Sequence, residues 1–141
     1  AGMTVQVLGD VEFGYELPEY HPDTSLEASR SFAEAAGYAG GGRFEDHELA
    51  RAQGLPGALL PGIMGMGFFA SMINKWAPRG RITHIDTVFR APVLADHPHI
   101  AAAVVTDIDE DEATVVLDLS IKNAQDETRV FGTATVVLPK D

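Results

Sequence analysis

The chain has 141 residues, 45% of them apolar, enough for one globular domain to bury a core without covalent staples. Ten basic residues stand against 21 acidic ones, and the formal charge of −11 repels nucleic-acid phosphates and anionic membranes, which argues against both as partners. There is no cysteine, hence no disulfide and no thiolate metal site; no charged-then-apolar leader opens the chain, Ala1-Gly2 before Met3 reads as a cloning remnant, and a cytoplasmic location is expected.

Residues 4–8 alternate weakly and are expected to form a short strand, with Gly9-Asp10 as its turn. Residues 11–20 run toward prolines 18 and 22 and should be extended at a sheet edge. Thr24-Ser25-Leu26-Glu27 has the form of a capping box with Thr24 as N-cap. Leu26, Ala28, Phe32, Ala33, Ala35 and Ala36 follow at helical spacing, and Gly37 is the stop. A loop containing Gly40-Gly41-Gly42 leads to a second short helix over residues 45–53, ended by Gly54.

Pro61 then suits the start of a long helix running to Trp76. Ile63, Met64, Met66, Phe68, Phe69, Met72, Ile73 and Trp76 make it apolar on nearly every face, so other structure should surround it. It is too short and too glycine-rich to span a membrane. Gly62, Gly65 and Gly67 each cost roughly 1 kcal/mol of helix propensity, a cost that fits a helix gripped closely by a sheet.

Beyond the turn at residues 77–80, four strands are expected over residues 81–93, 99–108, 113–122 and 128–138, at hairpin spacing. In the third, Val115, Leu117, Leu119 and Ile121 share one face while Thr114, Asp118, Ser120 and Lys122 share the other, so one side is buried and one is wet. Helices first and meandering antiparallel strands after them make a single α+β domain over residues 1–141, its sheet wrapped around one long central helix.

Three stretches carry a family resemblance. Asp46, Ala50 and Gly54 keep an Asp-x-x-x-Ala-x-x-x-Gly spacing, Phe89-Arg90-Ala91-Pro92-Val93 forms a Phe-x-x-Pro-Val strand, and Asn123-Ala124-Gln125-Asp126-Glu127 forms a late hairpin turn. With the order of elements, these resemble the MaoC-like, R-specific enoyl-thioester hydratase and dehydratase family over nearly the whole chain. The resemblance implies a hot-dog fold, lyase chemistry on an acyl-CoA or acyl-carrier-protein thioester in fatty acid or polyketide metabolism, and no cofactor or metal. It also implies a homodimer, or a heterodimer with a second hot-dog chain, often with the two sheets joined edge to edge. In some members one half of a heterodimer carries catalysis and the other accommodates the acyl chain.

The same spacing exposes a departure. Counted from Asp46, Ala50 and Gly54, the family's catalytic histidine falls on Phe44, and its catalytic aspartate on Ala39, or on Tyr38 if counted from Gly37. Neither position can usefully exchange the protons that hydration of a conjugated double bond requires, and neither Ala39 nor Tyr38 can serve as the family's carboxylate. The family's Ala-His-Gly at the central helix start is Leu60-Pro61-Gly62 here. The backbone N–H of Gly62 remains, at a helix N-terminus able to polarise a thioester carbonyl. Phe44, Met64, Met66 and Phe68 are candidates to line an acyl tunnel, against the commoner role of such residues as core.

Other ionisable residues offer relocated chemistry. Asp46 and His47 lie near the lost dyad, against a bland alternative as the solvated first turn of a helix. His84 and Asp86 alternate on one strand face, either meeting in the groove or forming a polar pair on an outer surface. Asp96, His97 and His99 lack a convincing ligand set and read as a turn. Lys75, Arg79 and Arg81 are the basic cluster available for coenzyme A or pantetheine phosphates, or for surface salt bridges. The first expectation is therefore an acyl-thioester-binding subunit of a hydratase or dehydratase assembly without the standard dyad. An active hydratase, thioesterase or cyclase using Asp46, His47, His84 or Asp86 is the alternative, and a scaffold with a filled groove the third.

Overall fold

The computed structural model describes residues 4–141. Its elements are a 3-10 turn at Leu8–Asp10, three helices, α1 (Leu26–Ala36), α2 (His47–Ala52) and α3 (Gly62–Trp76), and four strands, β1 (Arg81–Phe89), β2 (His99–Asp109), β3 (Thr114–Asn123) and β4 (Thr128–Val137). The cloning-remnant expectation for Ala1-Gly2 lies outside the described residues.

Helices α1 and α2 begin where a side chain satisfies loose backbone N–H groups, and α1 ends on a glycine. Ser25, one residue later than expected, caps α1 by accepting from the N–H of Ala28 at 3.1 Å. Thr24 is not the cap; it donates its hydroxyl hydrogen to the carbonyl of His97 at 2.6 Å, a partner 73 residues away. Gly37 closes the helix at φ 84°, a left-handed conformation that costs glycine little. Asp46 caps α2, accepting from the N–H groups of Glu48 and Leu49 at 2.8 and 3.0 Å. Pro61 immediately precedes α3 and leaves its first turn without a side-chain cap.

The four strands form one antiparallel sheet in the order β1-β4-β3-β2. The expected meander holds from β2 to β4 only. β1 crosses to the far side and pairs with β4, which no local turn signal encodes. Residues 4–8 are not a strand: Val5 donates to the carbonyl of Trp76 and Leu8 to that of Pro139, single bonds that tie two buried side chains over the end of α3. The extended stretch after them does meet an edge, with Glu16 and Tyr20 bridging to Val104 and Ala101 of β2.

Val115, Leu117, Leu119 and Ile121 of β3 are buried with Val130, Ala134 and Val136 of β4 beneath Phe69, Met72, Ile73 and Trp76 of α3. Helix α3 is not surrounded within the chain, however. Gly62, Ile63, Gly67, Ser71 and Asn74 remain exposed along its outer side, Ile63 by 50%. A second, smaller cluster of Ala50, Ala58, Leu60, Met64 and Ala95 joins α1 and α2 to the start of α3. No helix among the described residues is long and apolar enough to cross a membrane.

Candidate functional site

Where the two clusters meet, at the N-terminal end of α3, the chain forms a half-open cavity of about 320 Å³. Buried Ser29 of α1 organises one wall: its hydroxyl lies 2.8 Å from the carbonyl oxygens of both Phe44 and Leu59, and the N–H of Leu59 donates to the carbonyl of Arg43 at 2.9 Å. Leu60 donates to the carbonyl of Val93 at 2.8 Å, which draws the residues after β1 against the same opening. Gly62 and Gly65 of α3 keep the interior open. A Cβ on Gly62 would stand 3.3 Å from the Phe89 ring, and one on Gly65 would stand 3.5 Å from Ile121. Phe44 is half-buried in the wall, its ring tilted 57° against that of Tyr38 with centroids 6.2 Å apart.

Apart from two exposed arginines, Arg43 and Arg90, the lining is made of Phe, Leu, Pro, Val, Ile, Ala and Gly. Among the described residues, no carboxylate and no imidazole borders it. The uncapped first turn of α3 supplies N–H groups and positive partial charge at its edge. Such a site binds an apolar group and polarises an acceptor oxygen, but its side chains offer no proton acceptor for hydration.

Of the candidates named from the sequence, Phe44, Gly62 and Phe68 line this cavity. Met64 is buried in the smaller cluster, Met66 is half-buried, and Ala39 and Tyr38 are exposed; none of these four borders it. Asp46 is engaged as the α2 cap. His47 accepts the N–H of Ala58 on Nδ1 at 3.0 Å, which leaves its proton on Nε2, donated to Asp96 at 2.7 Å. That bond, with the N–H of Leu26 donated to the other carboxylate oxygen, holds the Asp96 pKa below its usual 3.8. The cluster is thus a clamp between α1, α2 and the turn after β1.

His84 and Asp86 do meet, at 2.6 Å, but outside the groove. They pair with Thr135 and Thr133, on the sheet face turned away from the buried Ala134 and Val136, and both are exposed. Lys75, Arg79 and Arg81 lie at the other end of α3, some 20 Å along the helix from Gly62 at its usual rise. The Lys75 ammonium sits 5.3 Å from the Tyr20 ring centroid, and Arg79 donates to the carbonyl of Asp141 at 3.5 Å. His97 and His99 turn to the carbonyls of Ala95 and His97, away from any common point with Asp96.

The sequence reading missed Arg43, Arg90 and the apolar walls from Leu59, Ile121 and Val130 as site residues. The inward alternation of β3 already put Ile121 on the helix side, and the Phe89-x-x-Pro92-Val93 motif, read as family likeness, supplies three further lining residues.

No protein-family model matches the chain. No curated protein matches it either. Solved structures do. The unliganded R-hydratase PhaJ1 from Pseudomonas aeruginosa superposes with a TM-score of 0.89 at 15% identity, over 100% of this chain and 90% of that one. The (R)-hydratase from A. caviae involved in PHA biosynthesis gives 0.84 at 18% identity over 92% and 98%. A chain of the ChsH1-ChsH2 complex from Mycobacterium tuberculosis gives 0.81 at 19% identity over 91% and 98%. The chain therefore has the hot-dog fold, in the form seen in R-hydratases and MaoC-like dehydratases.

Proposed function

We propose that this chain is a hot-dog subunit that holds an acyl thioester in the Phe44–Gly62 cavity, within a hydratase- or dehydratase-type assembly with a second hot-dog chain, and does not itself hydrate it. The observation that carries the reading is the lining: an apolar cavity of about 320 Å³ beside an uncapped helix N-terminus, without an acid or base among the described residues bordering it. That volume is at the lower end of ligand pockets and suits a short acyl group rather than a whole carrier. The Gly62 N–H would receive the thioester carbonyl, with Phe44 and Phe68 against the chain. Arg43 and Arg90 are the cations that border the opening and would meet phosphates of the carrier; Lys75, Arg79 and Arg81 lie too far along α3 for the same contact. The hetero-complexes named for two similar structures, ChsH1-ChsH2 and HadBC, support a hot-dog partner.

Calorimetric titration with butyryl- and hexanoyl-CoA tests this. Saturable binding is expected for the wild type, and at least a tenfold loss for Gly65→Leu, which fills the cavity against Ile121. Equal affinity of the folded Gly65→Leu protein would sink the assignment of the site.

A further inference from the structure

A second half-open cavity, of about 340 Å³, lies at one end of the sheet, between the turn that leads into β2 and the hairpin turn that joins β3 to β4. Of the described residues, only Pro92 borders both it and the Phe44–Gly62 cavity. His99, opposite Asn123 in the pairing of β2 with β3, borders it and is 4% exposed. Its Nδ1 lies 2.8 Å from the carbonyl of His97; a carbonyl can only accept, so the ring's proton is on Nδ1 and Nε2 carries a bare lone pair. Burial, foremost, lowers the His99 pKa, which favours that neutral ring. His97, donating from Nδ1 to the carbonyl of Ala95 at 3.0 Å, presents a second bare Nε2 to the same cavity. Neither Nε2 meets a donor among the described residues. A lone pair on a ring as buried as that of His99 calls for a donor from outside the chain.

Two charges face the same space. Arg129 is fixed by its Nε, which donates to the carbonyl of Pro92 at 2.9 Å, and its two terminal nitrogens are uncommitted. Glu127 is fixed through Oε1, which accepts from Nδ2 of Asn123 at 2.8 Å, and its Oε2 is uncommitted. Neither residue forms an ion pair among the described residues. The four groups make opposite demands. Arg129 calls for an oxyanion, while Glu127 and the two imidazole lone pairs call for N–H donors, best of all cationic ones. A simple anion would meet Arg129 but be repelled by Glu127. A metal ion would meet the imidazoles but be repelled by Arg129, and no group of three metal ligands converges among the described residues. A small zwitterion satisfies all four. Pro92, Leu94 and Pro98 add an apolar wall beside them.

We propose that this cavity is a binding site for a free α-amino acid with an apolar side chain. Its carboxylate would pair with the terminal nitrogens of Arg129, its ammonium with His99 Nε2 and Glu127, and its side chain would lie against Leu94 and Pro98. The site is separate from the acyl thioester and stands whether or not that reading holds.

Calorimetric titration with L-leucine tests this. Saturable binding with a Kd of about 1 mM or tighter is expected near neutral pH. Its amine-free analogue isocaproate and its carboxyl-free analogue isoamylamine should each bind at least about tenfold more weakly, because each leaves half of the charge pattern unmet. Glu127 is exposed, so Glu127→Gln should leave the fold intact; it should weaken leucine about tenfold yet bind isocaproate no more weakly than wild type does, since it removes the ammonium's partner and the carboxylate's repulsion together. Arg129→Gln, its fold checked by circular dichroism, should lose both leucine and isocaproate. Gly65→Leu fills the other cavity and should bind leucine as wild type does. Absence of leucine binding to the wild type, equal affinity for leucine and isocaproate, undiminished leucine affinity in Glu127→Gln, or loss of leucine from folded Gly65→Leu would overturn the proposal.

Discussion

Phe44 is the residue on which the site turns, because an aromatic ring occupies the position that the family resemblance gives to a histidine. Phe44→His is expected to remain inactive toward enoyl thioesters, since a base needs a matching acid and exposed Ala39 cannot be one. It should lower stability by about 1–2 kcal/mol, through lost burial of a half-buried ring and a polar group seeking partners, read by denaturant unfolding. His99 supplies a pH test. Burial, foremost, pushes its pKa below 6.5, opposed by its bond to the His97 carbonyl and aided by nearby Arg129. The unfolded chain therefore binds a proton that the folded chain refuses. This contribution is complete above pH 6.5 and shrinks as pH falls through the window below it, so thermal melts should drop between pH 7 and pH 5, and His99→Gln should flatten that slope. Asp96 acts in a lower window: its folded pKa lies below 3.8, so its contribution is present above 3.8 and is lost only as pH falls further. Part of this site was legible: the family resemblance, counted from Asp46, Ala50 and Gly54, singled out Phe44, the reading of the long helix singled out Gly62 at its start, and both line the cavity. The rims were not. Arg43 and Arg90 converge through backbone bonds of residues 43, 59, 60 and 93 that no local pattern announces.

At the scale of elements, caps and close approaches decide what each side chain is free to do. Asp46→Ala should cost about 1 kcal/mol, the usual value of an N-cap, and leave ligand affinity unchanged, which separates a cap from a relocated catalytic carboxylate. Gly132→Ala should cost about 3 kcal/mol in chemical denaturation, because its Cβ meets the rigid carbonyl of Asp86 rather than a side chain able to move aside. Helices and strands were readable where periodicity and stop signals agreed, as in Leu26–Ala36 with Gly37 and in the alternation of β3. They were misread where the deciding partner is remote. Thr24 and Ser25 are both good caps on local chemistry; Ser25 takes the role, while Thr24 donates to the carbonyl of His97, 73 residues away. Residues 4–8 alternate, but their bonds go to Trp76 and Pro139. The position of β1 beside β4 is likewise a long-range fact.

In the whole molecule, α3 is more apolar than the cover a single chain gives it. The sequence demanded cover for the helix, and a single chain leaves Ile63, Gly67 and Ser71 exposed. A hot-dog partner, as in the ChsH1-ChsH2 and HadBC complexes, would supply such cover. The proposed role, holding an acyl group without hydrating it, rests on the acid- and base-free lining of the cavity among the described residues. The most direct measurement follows crotonyl- and hexenoyl-CoA with the isolated protein at saturating concentration, recording binding by calorimetry and loss of the conjugated double bond by absorbance in the same samples. Binding without hydration is the expected result. Sustained hydration that is abolished by substituting Asp46, His47, His84 or Asp86 would contradict it.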